Sequence, residues 1–261
     1  QVLDDLILTA GSWPDCEIIK YLHLWFEAGT TCHGRHKPYS FLDIGANIGA
    51  CSTLGAFIGW NVTAVEPLPE HLEFLKASLY LNGLAASVVP AAAVSTPGLA
   101  FLAEPPRHMD NLRNSGASRI VRSYGPGAHL VRGIRIDTLF LGPIEFMKID
   151  IQGFESFALQ GAKFLLEDPS RRPIAIFLEV DPKLQRAQGL HPLTPLRQLK
   201  RYGYRFFPHR IKRTGSLNVV LDLFVEGELV DLSFETYFGD VLAILPSCLE
   251  SWIRSLARGD A

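Results

Sequence analysis

The chain has 261 residues, 48% of them hydrophobic and 20% charged, which is enough apolar material to bury a full core and excludes a disordered chain. Its 25 basic and 27 acidic residues leave a formal net charge of -2, so no global attraction to nucleic acid phosphates operates and no nucleic acid partner is expected. No apolar run reaches the roughly eighteen residues of a membrane helix, so no membrane span is expected. Cys16, Cys32, Cys51 and Cys248 lie far apart without a CxxC pair, and the expectation is free buried thiols rather than zinc ligands or a disulfide framework. A cytoplasmic location is the default reading, with an upstream signal or anchor left open because the first residue is Gln1.

Residues 1–40 hold an apolar helical segment at 17–26 and read as an N-terminal helical cap on a domain spanning 41–261. Strand and helix patterns then alternate, the signature of βαβ units in a parallel sheet. A first strand over 41–44 leads to a helix over 48–58, with Asn47 near its cap and Gly59 as its stop. A second strand follows at 61–65. Its sequon Asn61-Val62-Thr63 is a glycan acceptor only in a secretory compartment, and it reads as part of a buried strand. Pro69 opens a helix carrying Leu72, Leu75 and Leu79 at helical spacing, closed by Asn82-Gly83, and a third strand occupies 87–89.

The stretch 97–127 is rich in Pro, Gly, Ser, Asn and Arg and reads as an extended loop with minor structure, of the length that is often functional, which together with residues 1–40 is expected to shape the acceptor site. A fourth strand at 144–149, a helix at 155–166, a fifth strand at 174–180 and a helix at 193–202 follow. An antiparallel pair is expected between 204–207 and 218–225, joined by a basic turn, with a final amphipathic helix at 241–257. The fold class is therefore α/β, a Rossmann-like, mostly parallel, doubly wound sheet with an antiparallel edge hairpin.

The segment FLDIGANIG at 41–49 ends the first strand with Gly45, Asn47 and Gly49, where glycine lets the backbone turn tightly beside a ligand. Glu66 closes the second strand about 20 positions later, where a carboxylate accepts the two hydroxyls of a ribose. The glycine order is not the dinucleotide GxGxxG. Asp43 upstream would repel a pyrophosphate but attract the ammonium and sulfonium of S-adenosylmethionine. A nicotinamide-dependent oxidoreductase and a noncatalytic cofactor-binding module remain alternatives to a methyltransferase.

With TAVEP at 63–67, VVPAAAVS at 88–95, IRIDTL at 134–139, FMKIDIQGFE at 146–155 and FLEV at 177–180, the chain resembles the FkbM-type methyltransferases. The resemblance implies a class I methyltransferase fold and O-methylation of a hydroxyl on a sugar, glycan or small natural product, with S-adenosylmethionine as cofactor. It also implies cofactor contacts at Asp43, Gly45, Ala46, Asn47, Gly49, Glu66, Pro67 and Ala92. The family's usual phrase is KIDVEGxE, so Gln152 stands here in place of a carboxylate.

In a parallel sheet ligands sit at the C-terminal strand ends, which places Asp150, Gln152 and Glu179 beside the reacting methyl group. Asp150 is the first candidate for the base or hydroxyl-orienting group, or else a loop organiser, with Glu179 and the loop residue His108 as further candidates. Gln152, Glu155 and Asn111 are candidate acceptor contacts, although Glu155 also suits the first turn of its helix through the dipole. Asp150 has no second oxygen ligand at a suitable spacing, so no metal site is expected.

Overall fold

The computed structural model describes residues 16–27, 37–103, 119–121, 128–139, 141–209 and 239–250. Helix α1 (Glu17–Glu27) buries Ile18, Ile19, Leu22, Trp25 and Phe26, the one-sided spacing of an amphipathic helix, in the main core. Strand β1 (Ser40–Ile44) is buried on both faces, as the centre of a parallel sheet requires. Helix α2 (Ala50–Phe57) begins two residues later than expected, because Gly49 takes a left-handed N-cap conformation. Its Gly55 lets the helix lie close on the sheet, since a Cβ there would fall 2.8 Å from the Phe41 ring.

Strand β2 (Asn61–Glu66) pairs in parallel with β1. Helix α3 (Pro69–Leu81) starts with proline at its first turn and buries Leu72, Leu75 and Leu79. Strand β3 (Ser87–Pro90) extends the sheet beside β2.

The stretch read as a loop with minor structure contributes strands at 98–103 and 119–121. Strands β4 (Ala92–Ala93), β5 (Gly98–Ala103), β6 (Arg119–Val121) and β7 (Ala128–Ile134) form a second sheet in the order β4-β7-β5-β6. Leu102, Ile120 and Val131 from this sheet make a small separate core with Leu68, Ala92 and Val94. The residues between β5 and β6, including His108 and Asn111, lie outside the described residues.

The chain then returns to the main sheet with β8 (Phe146–Ile149), parallel to β1 on its other side. The helix expected at 155–166 is two helices, α4 (Glu155–Gly161) and α5 (Lys163–Glu167). Gly161 passes so close to β4 that a Cβ would sit 2.2 Å from the Val94 carbonyl oxygen, and the helix breaks there at Ala162. Strand β9 (Ala175–Val180) is followed by a short helix that the sequence did not suggest, α6 (Pro182–Ala187), capped by Asp181. Then come α7 (Thr194–Lys200), β10 (Arg205–His209) and β11 (Gly239–Ile244).

The main sheet runs β10-β11-β9-β8-β1-β2-β3, with β11 antiparallel to both its neighbours. The antiparallel edge exists, but the partner of β10 is Gly239–Ile244 rather than 218–225, which lies outside the described residues. Residues 241–244 are accordingly strand, and helix begins only at 246.

The cysteine expectation is also corrected. Cys16 and Cys51 form a disulfide with Cα atoms 5.0 Å apart, joining the start of α1 to the first turn of α2, while Cys248 is free and buried. The two cysteines are 35 positions apart, and packing of α1 on α2 is what brings them together. The sequon asparagine differs from expectation as well, since Asn61 is exposed at the first position of β2.

Candidate active site

Three strand ends converge at the C-terminal edge of the sheet. Gly45, just beyond β1, has φ +80°, and a Cβ there would lie 2.0 Å from the Asp150 carbonyl oxygen, so only glycine lets the β1 and β8 loops cross. Glu66, the last residue of β2, is buried and ties two turns together. Its Oε2 accepts the Asn47 backbone N–H at 2.9 Å and its Oε1 accepts the Leu68 N–H at 2.9 Å, with His71 Nδ1 3.4 Å away.

A cleft open to solvent lies between these ends and is lined by Gly45, Asn47, Glu66, His71, Asp150 and Gln152. Leu102 and Ile120 line it from the second sheet, where they are direct cross-strand partners. The former loop segment thus contributes an apolar wall. Asn47 and Gln152 are the two non-glycine residues with positive φ among those described, at 52° and 54°, and both face this cavity.

Asp150, Gln152 and Glu179 form one connected group. The Gln152 amide nitrogen donates to Asp150 Oδ1 at 3.2 Å and to Glu179 Oε2 at 3.0 Å, and the Lys148 ammonium donates to Asp150 Oδ2 at 3.1 Å. Burial works against ionisation of Asp150, but the charge and hydrogen bond of Lys148, with the Gln152 amide, outweigh it and hold its pKa below the usual range. Glu179 moves the other way. Burial, then the negative charges of Asp150, Glu155, Asp240 and Asp181, push its pKa up to about 8. Near neutral pH the group therefore pairs an ionised Asp150 with a protonated Glu179.

Not every expected contact reaches the cavity. Gly45, Asn47, Glu66, Pro67, Ala92, Asp150 and Gln152 line it. Asp43 does not: it is fully buried beneath the turn, its Oδ2 accepts the Ser52 hydroxyl at 2.6 Å, and burial raises its pKa against the opposing pull of Lys148 and Ser52. Ala46 and Gly49 pack inward, Gly49 so tightly that a Cβ would meet Leu75 at 2.7 Å.

Glu155 is buried and committed to its own loop, accepting the Gly153 N–H at 2.9 Å and the Gln185 amide at 2.7 Å. Burial raises its pKa to about 7 despite these bonds. Among the described residues, Glu179 stands behind the cavity lining and is tied to the cavity group by Gln152. His71, Leu102 and Ile120 were missed. His71 sits in the first turn of α3 without any motif of its own, and the two apolar residues lay in a segment read as loop.

The cavity chemistry suits a cationic nucleoside. Its lining, among the described residues, contains Glu66 and Asp150 but no Lys or Arg to meet a pyrophosphate. Each Glu66 oxygen keeps a lone pair beyond the backbone N–H it accepts, so both could receive ribose hydroxyls.

Strand order and cavity together define an α/β domain of the class I methyltransferase type. The model of the methyltransferase FkbM domain matches residues 43–206, and the chain belongs to that family. S-adenosylmethionine is the cofactor. This assignment sets the nicotinamide reading aside.

Among solved structures, FkbM methyltransferase from Methylobacillus flagellatus KT is 18% identical over 82% of this chain and 47% of its own, with a TM-score of 0.45. The present chain thus spans about half that protein's length. Precorrin-6y C5,15-methyltransferase from Geobacter metallireducens GS-15 is 14% identical over 79% of each chain, with a TM-score of 0.39. Pyrococcus abyssi tRNA (uracil-54, C5)-methyltransferase, solved with S-adenosyl-L-homocysteine, is 12% identical over 72% of this chain and 32% of its own, with a TM-score of 0.35. No curated protein matches the chain.

Proposed function

We propose that this chain is an O-methyltransferase that methylates a hydroxyl of a sugar, glycan or small natural product. The observation that carries this reading is the Asp150 carboxylate at the cavity wall, kept ionised by Lys148 at 3.1 Å and oriented by Gln152 at 3.2 Å. S-adenosylmethionine supplies an electrophilic methyl carbon on a sulfonium. Glu66 holds the ribose end, because it closes β2 and faces the cavity. Asp150 would accept a hydrogen bond from the acceptor hydroxyl and take its proton, leaving the oxygen as the nucleophile toward the methyl group that S-adenosylmethionine would supply. Such a base contributes about 10²-fold to 10⁴-fold, with in-line positioning supplying more.

Leu102 and Ile120 offer the acceptor an apolar wall. Gln152 fits this scheme as a donor between two acids, a role that a carboxylate at this position would fill only when protonated. Incubation with methyl-labelled S-adenosylmethionine and a panel of deoxysugars, oligosaccharides, amines and carbon acids tests the reading. Label transferred to hydroxyl acceptors supports it, and label on amines or carbon acids alone overturns it.

A further inference from the structure

We infer that Asn61 is an N-glycan acceptor and that the chain matures in a disulfide-forming compartment. Two independent features carry this. The first is the Cys16–Cys51 disulfide, a bond that forms and persists in oxidising compartments and is rare where thiols are kept reduced. Its formation passes two electrons and two protons to a disulfide-donating oxidoreductase.

The second is the sequon Asn61-Val62-Thr63, which has no proline at its middle position. Asn61 is exposed, and strand alternation puts Asn61 and Thr63 on one face, opposite the buried Val62. β3 pairs with β2 only from Thr63 onward, so Asn61 projects past that neighbour at the N-terminal rim of the sheet.

The cavity is at the other end of the same strand. Five residue steps along β2 separate Asn61 from Glu66, roughly 16–17 Å at strand rise, so a glycan on Asn61 extends away from the cofactor mouth. In the transfer, the anomeric carbon of a polyprenyl-diphosphate-linked oligosaccharide leaves its phosphate oxygen and bonds to Asn61 Nδ2. The amide proton passes to the transferase's base and the lipid diphosphate is released. The acceptor is modified as the chain emerges, before β2 pairs with β1.

The test is to express the chain behind a cleavable secretory signal in mammalian cells and to measure intact mass before and after peptide N-glycosidase, in both secreted and cell-retained fractions. The expected result is a glycan mass removed by the enzyme, retained in Thr63→Ser, and absent in Asn61→Gln and Thr63→Ala. Cys16 and Cys51 should resist alkylation until reduced, and S-adenosylmethionine affinity should be unchanged within twofold by deglycosylation. An unmodified Asn61 in both fractions overturns the inference, as does a folded chain with Cys16 and Cys51 free.

Discussion

The Gln152 amide nitrogen donates to Glu179 Oε2 at 3.0 Å while the same nitrogen reaches Asp150, so one neutral side chain stands between two acids of opposite protonation tendency. Gln152→Leu removes both bonds without adding charge. Hydrogen bonds to charged groups are worth about 1.5 to 3 kcal/mol, so kcat/KM is expected to fall about ten- to a hundredfold with cofactor affinity nearly kept. Steady-state kinetics paired with calorimetric titration checks this; equal losses in both would mean that Gln152 shapes the cofactor site instead.

Asp150→Asn separates chemistry from binding. The amide keeps the size and one acceptor oxygen but cannot take a proton, so turnover should fall about 10²-fold to 10⁴-fold with nearly normal S-adenosylmethionine affinity. A loop organiser would lose affinity and thermal stability together. Full turnover in the folded variant would remove Asp150 as the base.

Glu66 has a structural duty beside its proposed hold on the ribose. Its carboxylate accepts the Asn47 and Leu68 backbone N–H groups, so Glu66→Ala strands two donors and should cost stability, about 1–3 kcal/mol, as well as affinity. Glu66→Gln keeps one acceptor oxygen and is the cleaner probe, with an expected affinity loss of about tenfold. Unchanged affinity in the folded Gln variant, read by titration, would assign the ribose elsewhere.

Stability should fall with rising pH across the neutral range. Burial raises Glu155 to about 7 and Glu179 to about 8, so both bind their protons more tightly folded than unfolded. Their contribution is fully present below the ordinary glutamate value of about 4.3 and is lost as pH climbs through 7 and 8. Glu155→Gln should flatten this slope. Urea denaturation of both proteins at about pH 5 and about pH 8 measures it, and an undiminished slope in the variant would place the titration at other groups.

Reduction should be costly. The Cys16–Cys51 bond spans 35 positions, for which the chain-entropy model gives about 3–4 kcal/mol of stabilisation. Melting with and without dithiothreitol is expected to show a large downward shift, and Cys51→Ser should reproduce it without reductant.

The central sheet was legible because strands buried on both faces, such as β1 and β9, read as short apolar runs between glycine and proline signals. The second sheet was not. β5 and β7 are half exposed, with Leu99 at 74% and Leu130 at 55%, so neither composition nor period marks them among their Gly and Pro neighbours. The β10 partner lies beyond a long intervening segment, and local pattern carries no information about so distant a pairing.

Glu66 and Asp150 line the cavity, as strand-end position alone suggests. Asp43, expected beside them, does not line it. In a strand covered on both faces, a side chain next to the turn can point into the core, and here it meets Ser52 of α2. The bridging of two acids by Gln152 depends on a backbone φ of 54°, which no spacing rule encodes.

Among the described residues, the Leu102–Ile120 wall belongs to a sheet that shares no hydrogen-bonded ladder with the one carrying Gly45, Glu66 and Asp150. The two sheets meet through side-chain packing instead, where Leu68, held by Glu66, sits with Leu102, Ile120 and Val131. On the proposed reading, β5 and β6 shape the acceptor side while the ends of β1, β2 and β8 hold the donor. Relatives that differ between β4 and β7 should diverge in what they methylate while keeping the same donor, and exchanging that segment between them should move the preference with it.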